Sequence, residues 1–471
     1  MGGHSEGSSG HVRGRGRTLR KPNTFRQSAA ALLLGLIVSS CNAGAAAPVS
    51  TPDPSTADGE EGRTALTLDR PADLAAFFRA LDRLEQHQGG PVHIVQLGDS
   101  HTAGDVMTGR LRQLFQERFG DGGRGVMAVG LPYNGVRQVE VHITQTGKWD
   151  YHNSLTHPDD GPYGISAFKA TSRAAGASLT LEAIDPAGFD HVEIEVLHHA
   201  NGGFLDIEVD GIRQRRLLTN GSLRLNRVSI DVPPHSHQLR LIAVDRRSVE
   251  LLSWSIERRG PGVVFDSLGV SSATIGLPAH WTPEFVIEEL RHLNPALVIL
   301  AYGTNEAFQA EFDPLKYGQT VSDILALVRR GAPGASILIV GPPDAQRLTS
   351  ACRQGNGAEA RCLVHPDPNR AYSCEWETPG PLVVVRSIEQ RLAQRDGAVF
   401  WDWSAIMGGA CAMDRWVTSD PPLARGDHVH MTLAGYDRTA DALFHDLMEA
   451  YAARREAEAH RPPAAARRPR P

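Results

Sequence analysis

The stretch Pro91–Asp105 reads PVHIVQLGDSHTAGD and joins a strand-like half to a polar turn. Residues 91–97 are mostly apolar, which is typical of a strand buried inside a sheet. Residues 105–119 then repeat apolar side chains at helical spacing. A strand, a glycine-bearing turn and a helix in succession indicate a unit of a parallel α/β sheet, with Ser100 just beyond the carboxyl end of the strand.

The same alternation of strands and helices returns in the second half of the chain. Apolar runs and helical periods follow one another in the order strand 262–267, helix 283–293, strand 296–302, helix 316–330, strand 335–340, helix 383–394, strand 398–403 and helix 433–453. This rhythm predicts a parallel sheet with helices on both faces.

A different pattern fills the chain between the two α/β parts. Short runs of alternating polar and apolar residues are separated by turn sequences such as Asn201-Gly202-Gly203. This spacing predicts an all-β sandwich of roughly seven strands. We therefore predict a discontinuous α/β domain at 66–139 and 262–455, with the sandwich inserted at 140–261.

Four polar blocks lie beyond predicted strands or just before the last helix. They are Gly98-Asp99-Ser100-His101, Gly269, Gly303-Thr304-Asn305-Glu306 and Asp427-His428-Val429-His430. Because ligands bind at the carboxyl edge of an open parallel sheet, we expect these blocks to meet there.

The residue types in these blocks suit acyl transfer. A serine hydroxyl becomes a nucleophile beside a base, which makes Ser100 the candidate nucleophile and His430 the candidate base. Asp427 would orient the His430 ring and stabilise its charged form. The backbone N–H groups of Ser100 and Gly269 and the side-chain amide of Asn305 would form an oxyanion hole.

Each of these residues also has a purely structural interpretation. Ser100 is a favoured residue at a helix N-cap, and Gly269 would permit a turn. Asn305 would hold its loop by bonding to the backbone. His428 and His430 beside Asp427 would mimic a metal cluster, although a carboxylate–histidine pair explains His430 better, so no metal and no cofactor is predicted.

The four blocks resemble, in the same order, the signature blocks of the SGNH/GDSL hydrolase superfamily. The resemblance covers roughly 90–130 and 262–450, and it implies a flavodoxin-like, three-layer α/β fold with Ser100, Asp427 and His430 as the catalytic residues. Two positions depart from the common pattern, since Glu306 stands where Asp is usual and Met431 where Pro is usual.

The first block, the inserted β-domain and the Asn305 block together look like the peptidoglycan O-acetylesterase branch. That likeness implies removal of 6-O-acetyl groups from N-acetylmuramoyl residues by a serine esterase whose insert resembles a carbohydrate-binding module. His101, Trp149 and Tyr151 are then candidates for contact with the glycan. The alternatives are a polysaccharide O-acetyltransferase or esterase on another glycan with the same triad, and a non-catalytic glycan-binding lipoprotein.

The N-terminal region has the pattern of an export signal. A basic segment at 13–26 precedes the apolar run 29–38, and Val38-Ser39-Ser40-Cys41 resembles a bacterial lipobox. We expect a signal peptide at 1–40, a lipid on Cys41, a flexible tether at 41–65 and a disordered tail at 456–471. This places the protein at a membrane through its anchor, in the outer membrane facing the periplasm.

The cysteine content predicts disulfide bonds, and the net charge bears on which partners are expected. Cys352, Cys362, Cys374 and Cys411 form an even set in an exported chain, so two disulfides with three alternative pairings are expected. A zinc site is less well supported, because no CxxC pair is present. The net charge of −6 over 471 residues gives no reason to expect nucleic acid as a partner.

Overall fold

The computed structural model describes residues 67–133, 136–348, 362 and 375–460. The predicted signal peptide, Cys41, the tether up to residue 65, Cys352 and Cys374 lie outside these residues. Within the described part, no helix combines the length and the apolar character that crossing a membrane requires. A disulfide joins Cys362 to Cys411, with the two Cα atoms 5.5 Å apart.

The strands divide into a central sheet, a β-sandwich and one short two-stranded sheet. In chain order they are β1 (Leu68–Asp69), β2 (Val92–Gly98), β3 (Gly123–Ala128), β4 (Val141–Thr146), β5 (Asp150–Asn153), β6 (Phe168–Ser172), β7 (Ser178–Ala183), β8 (Phe189–His198), β9 (Phe204–Val209), β10 (Ile212–Leu218), β11 (Arg224–Ser236), β12 (Gln238–Ala243), β13 (Val249–Glu257), β14 (Val263–Gly269), β15 (Leu297–Ala301), β16 (Ser336–Gly341), β17 (Arg347–Leu348), β18 (Trp376–Glu377) and β19 (Val399–Asp402).

The α-helices surround the central sheet or carry the turns at its edge. They are α1 (Ala75–Glu85), α2 (Ser100–Ala103), α3 (Met107–Phe119), α4 (Pro283–Leu293), α5 (Thr304–Ala307), α6 (Pro314–Gly331), α7 (Gly380–Asp396), α8 (Trp403–Met407), α9 (Ala412–Val417) and α10 (Leu433–Ala459). The last helix thus extends beyond residue 455, where the sequence pattern placed the start of the tail.

The central sheet has the strand order β1-β19-β16-β15-β2-β14. All neighbours pair in parallel except β1, which runs antiparallel to β19 at the edge. Numbered along the chain, the five parallel strands have the order 2-1-3-4-5, which is the flavodoxin-like topology. The predicted α/β fold is confirmed, and the order places the reversal of connection beside β2, the strand that leads into Ser100.

Both faces of this sheet are buried, which explains the nearly continuous apolar strands. In β2, Ile94 packs into one core with α1, α3 and α10, whereas Val95 and Leu97 pack into a second core with α4, α6 and α7. A strand covered on both sides needs apolar residues at successive positions. The sequence of β2 therefore follows from its place in the middle of three layers.

The inserted domain is a sandwich of two largely antiparallel sheets. One sheet has the order β10-β9-β12-β7-β4, and the other has the order β11-β8-β13-β6-β5 with β3 added alongside β13. Apolar side chains from alternate positions fill the space between the sheets, including Leu179, Leu181, Val192, Ile194, Val196, Leu205, Ile207, Leu239, Leu241 and Trp254. The insert has more strands than the seven expected, and it begins near residue 123 rather than 140, because β3 pairs with β13.

A buried ion cluster ties the sandwich to the α/β domain. The carboxylate of Asp105 accepts hydrogen bonds from Arg112 in α3 at 3.0 Å and from Arg124 in β3 at 2.6 Å. It also accepts from the Thr108 hydroxyl at 2.8 Å and the Val139 N–H at 2.9 Å. Burial alone would raise the pKa of Asp105, but Arg124 and Arg112 hold it below the ordinary value. One carboxylate therefore fixes residues from both parts.

We predict that Asp105→Ala lowers the free energy of unfolding by about 3–5 kcal/mol, because it removes the carboxylate that two buried guanidinium groups share and leaves Arg112 paired with Glu140 alone. The matched control is Asp441→Ala, which removes the exposed carboxylate that pairs with Arg110. Arg110 lies in α3, the helix that also carries Arg112. That control should cost less than about 1 kcal/mol. Urea unfolding checks both values, and equal losses in the two variants would contradict a special role for the cluster.

Candidate active site

Ser100 is the first residue of the short helix α2, directly after the carboxyl end of β2. Asp99 caps this helix, since its side chain accepts a hydrogen bond from the His101 N–H at 2.9 Å. A Cβ atom at Gly98 would lie 2.1 Å from the Thr102 hydroxyl oxygen, so the turn can close only over a glycine. The N-cap is Asp99, and Ser100 is left with its hydroxyl available.

The Ser100 hydroxyl contacts a histidine from the far end of the chain. Its Oγ atom lies 3.0 Å from Nε2 of His430, and Nδ1 of the same ring lies 3.0 Å from Oδ2 of Asp427. A ring nitrogen that faces a carboxylate carries the proton, which leaves Nε2 as an acceptor for the Ser100 hydroxyl. The structure thus brings these three predicted residues into one hydrogen-bonded chain.

The loop between α9 and α10 orients Asp427. The Oδ1 atom of Asp427 accepts hydrogen bonds from the backbone N–H groups of Val429 and His430, both at 2.9 Å. Partial burial raises the pKa of Asp427, but these N–H groups and the His430 ring bring it below the ordinary value. Asp427 is therefore ionised at neutral pH and able to stabilise a charged His430 ring.

Gly269 and Asn305 lie at the ends of the strands on either side of β2. Gly269 ends β14 opposite Gly98, and a Cβ atom there would lie 2.1 Å from the Ala103 nitrogen. Asn305 follows β15, and its side-chain amide donates to the Ala273 carbonyl at 2.9 Å. An amide carries two N–H groups, and this bond uses one of them. Asn305 can therefore hold its loop with one N–H group and still donate the other to a bound substrate.

Glu306 is a structural brace that the sequence reasoning missed. One of its carboxyl oxygens accepts from the Gly303 N–H at 3.1 Å, and the other accepts from the Ile275 N–H at 2.6 Å. Burial raises the pKa of Glu306 to about 7 in spite of these bonds. The capping-box spacing between Gly303 and Glu306 is the signal that would have identified it.

His101 is buried under the site, which corrects its assignment as a glycan contact. Its Nδ1 atom lies 2.9 Å from the Tyr436 hydroxyl, and its ring centre lies 5.4 Å from that of His430. Only 3% of its surface is exposed, because the ring sits between α10 and Trp403. Burial lowers the pKa of His101 to about 3, so the ring stays neutral beside His430.

Of the two aromatic residues expected to contact a glycan, Trp149 has another role, whereas Tyr151 is half-buried and its contact with a glycan stays a prediction. Trp149 is buried, with 7% of its surface exposed, and it packs in the core of the sandwich. The Tyr151 hydroxyl donates to the Gln145 side chain at 2.7 Å and accepts from the Leu131 N–H at 3.1 Å. The polar neighbours of Trp149 in sequence made it look exposed, whereas its side chain turns inward.

His428 lies two residues before His430, and its side chain holds the loop between α9 and α10 in place. Its Nδ1 atom is 2.9 Å from the Gln346 side-chain oxygen, and its ring stacks on Trp376 with 3.5 Å between ring centres. These contacts join the loop that carries His430 to the β17–β18 strand pair and the residue before it. His428 therefore has a structural role in this loop.

Comparisons with known proteins point to the same chemistry. The sequence profile of the GDSL-like lipase/acylhydrolase family matches residues 238–438. A GDSL lipase of Mycobacterium tuberculosis is 26% identical over 190 residues, which span 39% of this chain and 65% of that relative. A solved peptidoglycan O-acetylesterase is 26% identical, with a TM-score of 0.68, over 82% of this chain and 99% of its own.

We predict that Gly269→Ala slows the labelling of Ser100 by a fluorophosphonate reagent about 10²-fold. The added methyl group would push the Ala103 backbone and move the serine away from His430, and such displacements of about 1 Å are costly. Gly260→Ala is the control, since open space surrounds that position. Labelling of Gly269→Ala at the wild-type rate would show that the close approach does not position Ser100.

Proposed function

We propose that the chain is a member of the SGNH/GDSL hydrolase superfamily and a serine esterase that removes O-acetyl groups from a cell-wall glycan. The observation that carries the proposal is the hydrogen-bonded chain of Ser100, His430 and Asp427. The proposed substrate is the 6-O-acetyl group of N-acetylmuramoyl residues in peptidoglycan. The likeness to a peptidoglycan O-acetylesterase supports it, because that likeness spans 82% of the chain.

In the first half of the proposed reaction, the Ser100 oxygen attacks the acetyl carbonyl carbon. His430 accepts the hydroxyl proton at Nε2, and the charge that forms on its ring is stabilised by Asp427. The same proton then passes to the sugar oxygen as the ester bond breaks. The products are a free sugar hydroxyl and an acetyl group on Ser100.

The carbonyl oxygen becomes negative during this attack and needs hydrogen-bond donors that stabilise its charge. The backbone N–H groups of Ser100 and Gly269 and the remaining side-chain N–H of Asn305 are the proposed donors. Loss of one such donor typically slows catalysis about 10²–10³-fold. The hydrogen bond from Asn305 to the Ala273 carbonyl holds the amide in place before the substrate arrives, so the donor needs little reorganisation.

The second half of the reaction regenerates the enzyme with water. His430 removes a proton from a water molecule, which attacks the acetyl group on Ser100. The serine oxygen leaves and recovers the proton from His430, and acetate is released. The neutral ring of His101 next to His430 adds no positive charge that would oppose protonation of the base.

We predict that wild-type protein releases acetate from O-acetylated peptidoglycan at a higher kcat/KM than from acetylated xylan. Ser100→Ala should abolish this release, because no other oxygen nucleophile contacts His430 among the described residues. Asp427→Asn should reduce kcat about 10³–10⁴-fold, since an amide favours the wrong ring tautomer of histidine. Acetate assays on both polymers provide the measurement.

Ser387→Ala, on the exposed side of α7, is the matched control and should behave like wild type. Esterase activity that survives Ser100→Ala would refute the mechanism. Acetate release that needs an added sugar acceptor would favour the acetyltransferase, and glycan binding without acetate release would favour a binding protein.

We also propose that Cys41 carries the lipid anchor and holds the enzyme at the outer membrane, facing the periplasm. The lipobox-like sequence and the apolar run before it support this placement. Expressed in a Gram-negative bacterium, the wild-type chain should incorporate an alkyne-labelled fatty acid and sediment with membranes. Cys41→Ala should be unlabelled and soluble, and equal labelling of both chains would exclude this anchor.

A further inference from the structure

A groove of about 440 Å³ lies beside the loop that carries Asn305. Its volume is within the range of about 300–1,000 Å³ that is usual for small-molecule sites. The side chains that give the groove its chemistry are Leu155, His280, Gln309, Glu311, Phe312 and Lys316. None of these residues belongs to the serine–histidine–aspartate chain.

The groove shares a wall with the loop that carries Asn305, because the next residue, Glu306, lines it. Glu306 forms part of its wall and binds the N–H of Ile275, which is also a wall residue. Asn305, the residue before Glu306, donates its side-chain amide to the Ala273 carbonyl, and Ala273 directly precedes the wall residue Thr274. The segments that place Asn305 therefore also form the wall of the groove.

The groove offers mixed hydrogen-bonding groups around an aromatic ring. Phe312 is half-buried, while Glu311, Lys316, His280 and Gln309 are exposed. Among the described residues, Glu311, Lys316 and His280 have no ion-pair partner, so their polar groups are available to a ligand. The carboxylates of Glu311 and Asp313 line the groove together with the Lys316 amine, so positive charge is not in excess there. Such a surface suits the hydroxyl groups and the apolar face of a sugar better than a phosphate.

Both domains contribute to the groove, and their contacts hold its walls in place. Leu155 belongs to the inserted domain, and the neighbouring Ser154 accepts a hydrogen bond from the Trp281 indole at 3.1 Å. The Thr282 N–H donates to the Tyr163 carbonyl at 2.9 Å, which joins the same insert loop to the start of α4. The groove therefore does not need to form when a ligand binds.

We propose that this groove binds a sugar residue next to the acetylated one in the glycan chain, with Phe312 packing on its ring. The inference rests on the proposed function and adds a subsite to it. Binding of the neighbouring sugar would give Leu155, a residue of the insert that lines the groove, a part in substrate binding. It also predicts that the enzyme prefers chains over single sugars.

The test compares Phe312→Ala with Leu315→Ala, a neighbouring exposed residue that does not line the groove. The measured quantity is kcat/KM for an O-acetylated tetrasaccharide of peptidoglycan divided by kcat/KM for a small acetate ester. Phe312→Ala should reduce this ratio about 3–10-fold, because packing of an aromatic ring contributes that much. Phe312→Trp should keep the ratio, and Leu315→Ala should leave it at the wild-type value.

A second measurement separates the subsite from the catalytic proposal. In Ser100→Ala protein, calorimetry with the de-O-acetylated tetrasaccharide should show binding that Phe312→Ala weakens by the same factor. Equal affinity with and without Phe312→Ala, or an unchanged kinetic ratio, would overturn the subsite. Phe312-dependent binding without acetate release by the wild type would instead leave the subsite standing and reject the esterase.

Discussion

The close approach between the Ser100 turn and the ends of two parallel strands is the constraint on which the site depends. Gly98 ends β2, Gly269 ends β14, and a Cβ atom at either position would lie 2.1 Å from an atom of residues 102–103. The helix α2 can therefore lie directly on the sheet edge. Because the strands beneath it are buried on both faces, the serine stands on a rigid support instead of a flexible loop.

The partner of this serine comes from 330 residues further along the chain, so the last helix and its preceding loop must dock accurately. The loop closes on itself through the bond from the Arg425 N–H to the His430 carbonyl at 2.8 Å. Tyr436 in α10 then contacts His101 under the site. The catalytic geometry is thus a consequence of packing between the two ends of the α/β domain, with the sandwich fixed to the same frame through Asp105.

The elements of the α/β domain could be predicted because their burial leaves a clear mark on the sequence. Parallel strands covered on both faces are continuously apolar, and the polar blocks after them stand out. The sandwich was harder, since β3 and β10 lack regular alternation, and β10 is largely exposed. Trp149 and His101 were misassigned because exposure depends on the tertiary neighbours of a side chain, which a local pattern does not contain. The part of the Glu306 brace that a local pattern could not show is its bond to the Ile275 N–H, because Ile275 lies in a separate loop.

The proposed reaction requires that the acetyl group be bound covalently to Ser100 before water releases it. The most direct measurement is mass spectrometry of protein quenched with acid during turnover of O-acetylated peptidoglycan. We expect the peptide that contains Ser100 to gain the mass of one acetyl group, and the gain to vanish when de-O-acetylated peptidoglycan is supplied. Acetylation of a different residue, or steady acetate release with no acetylated Ser100 peptide at any quench time, would contradict the account.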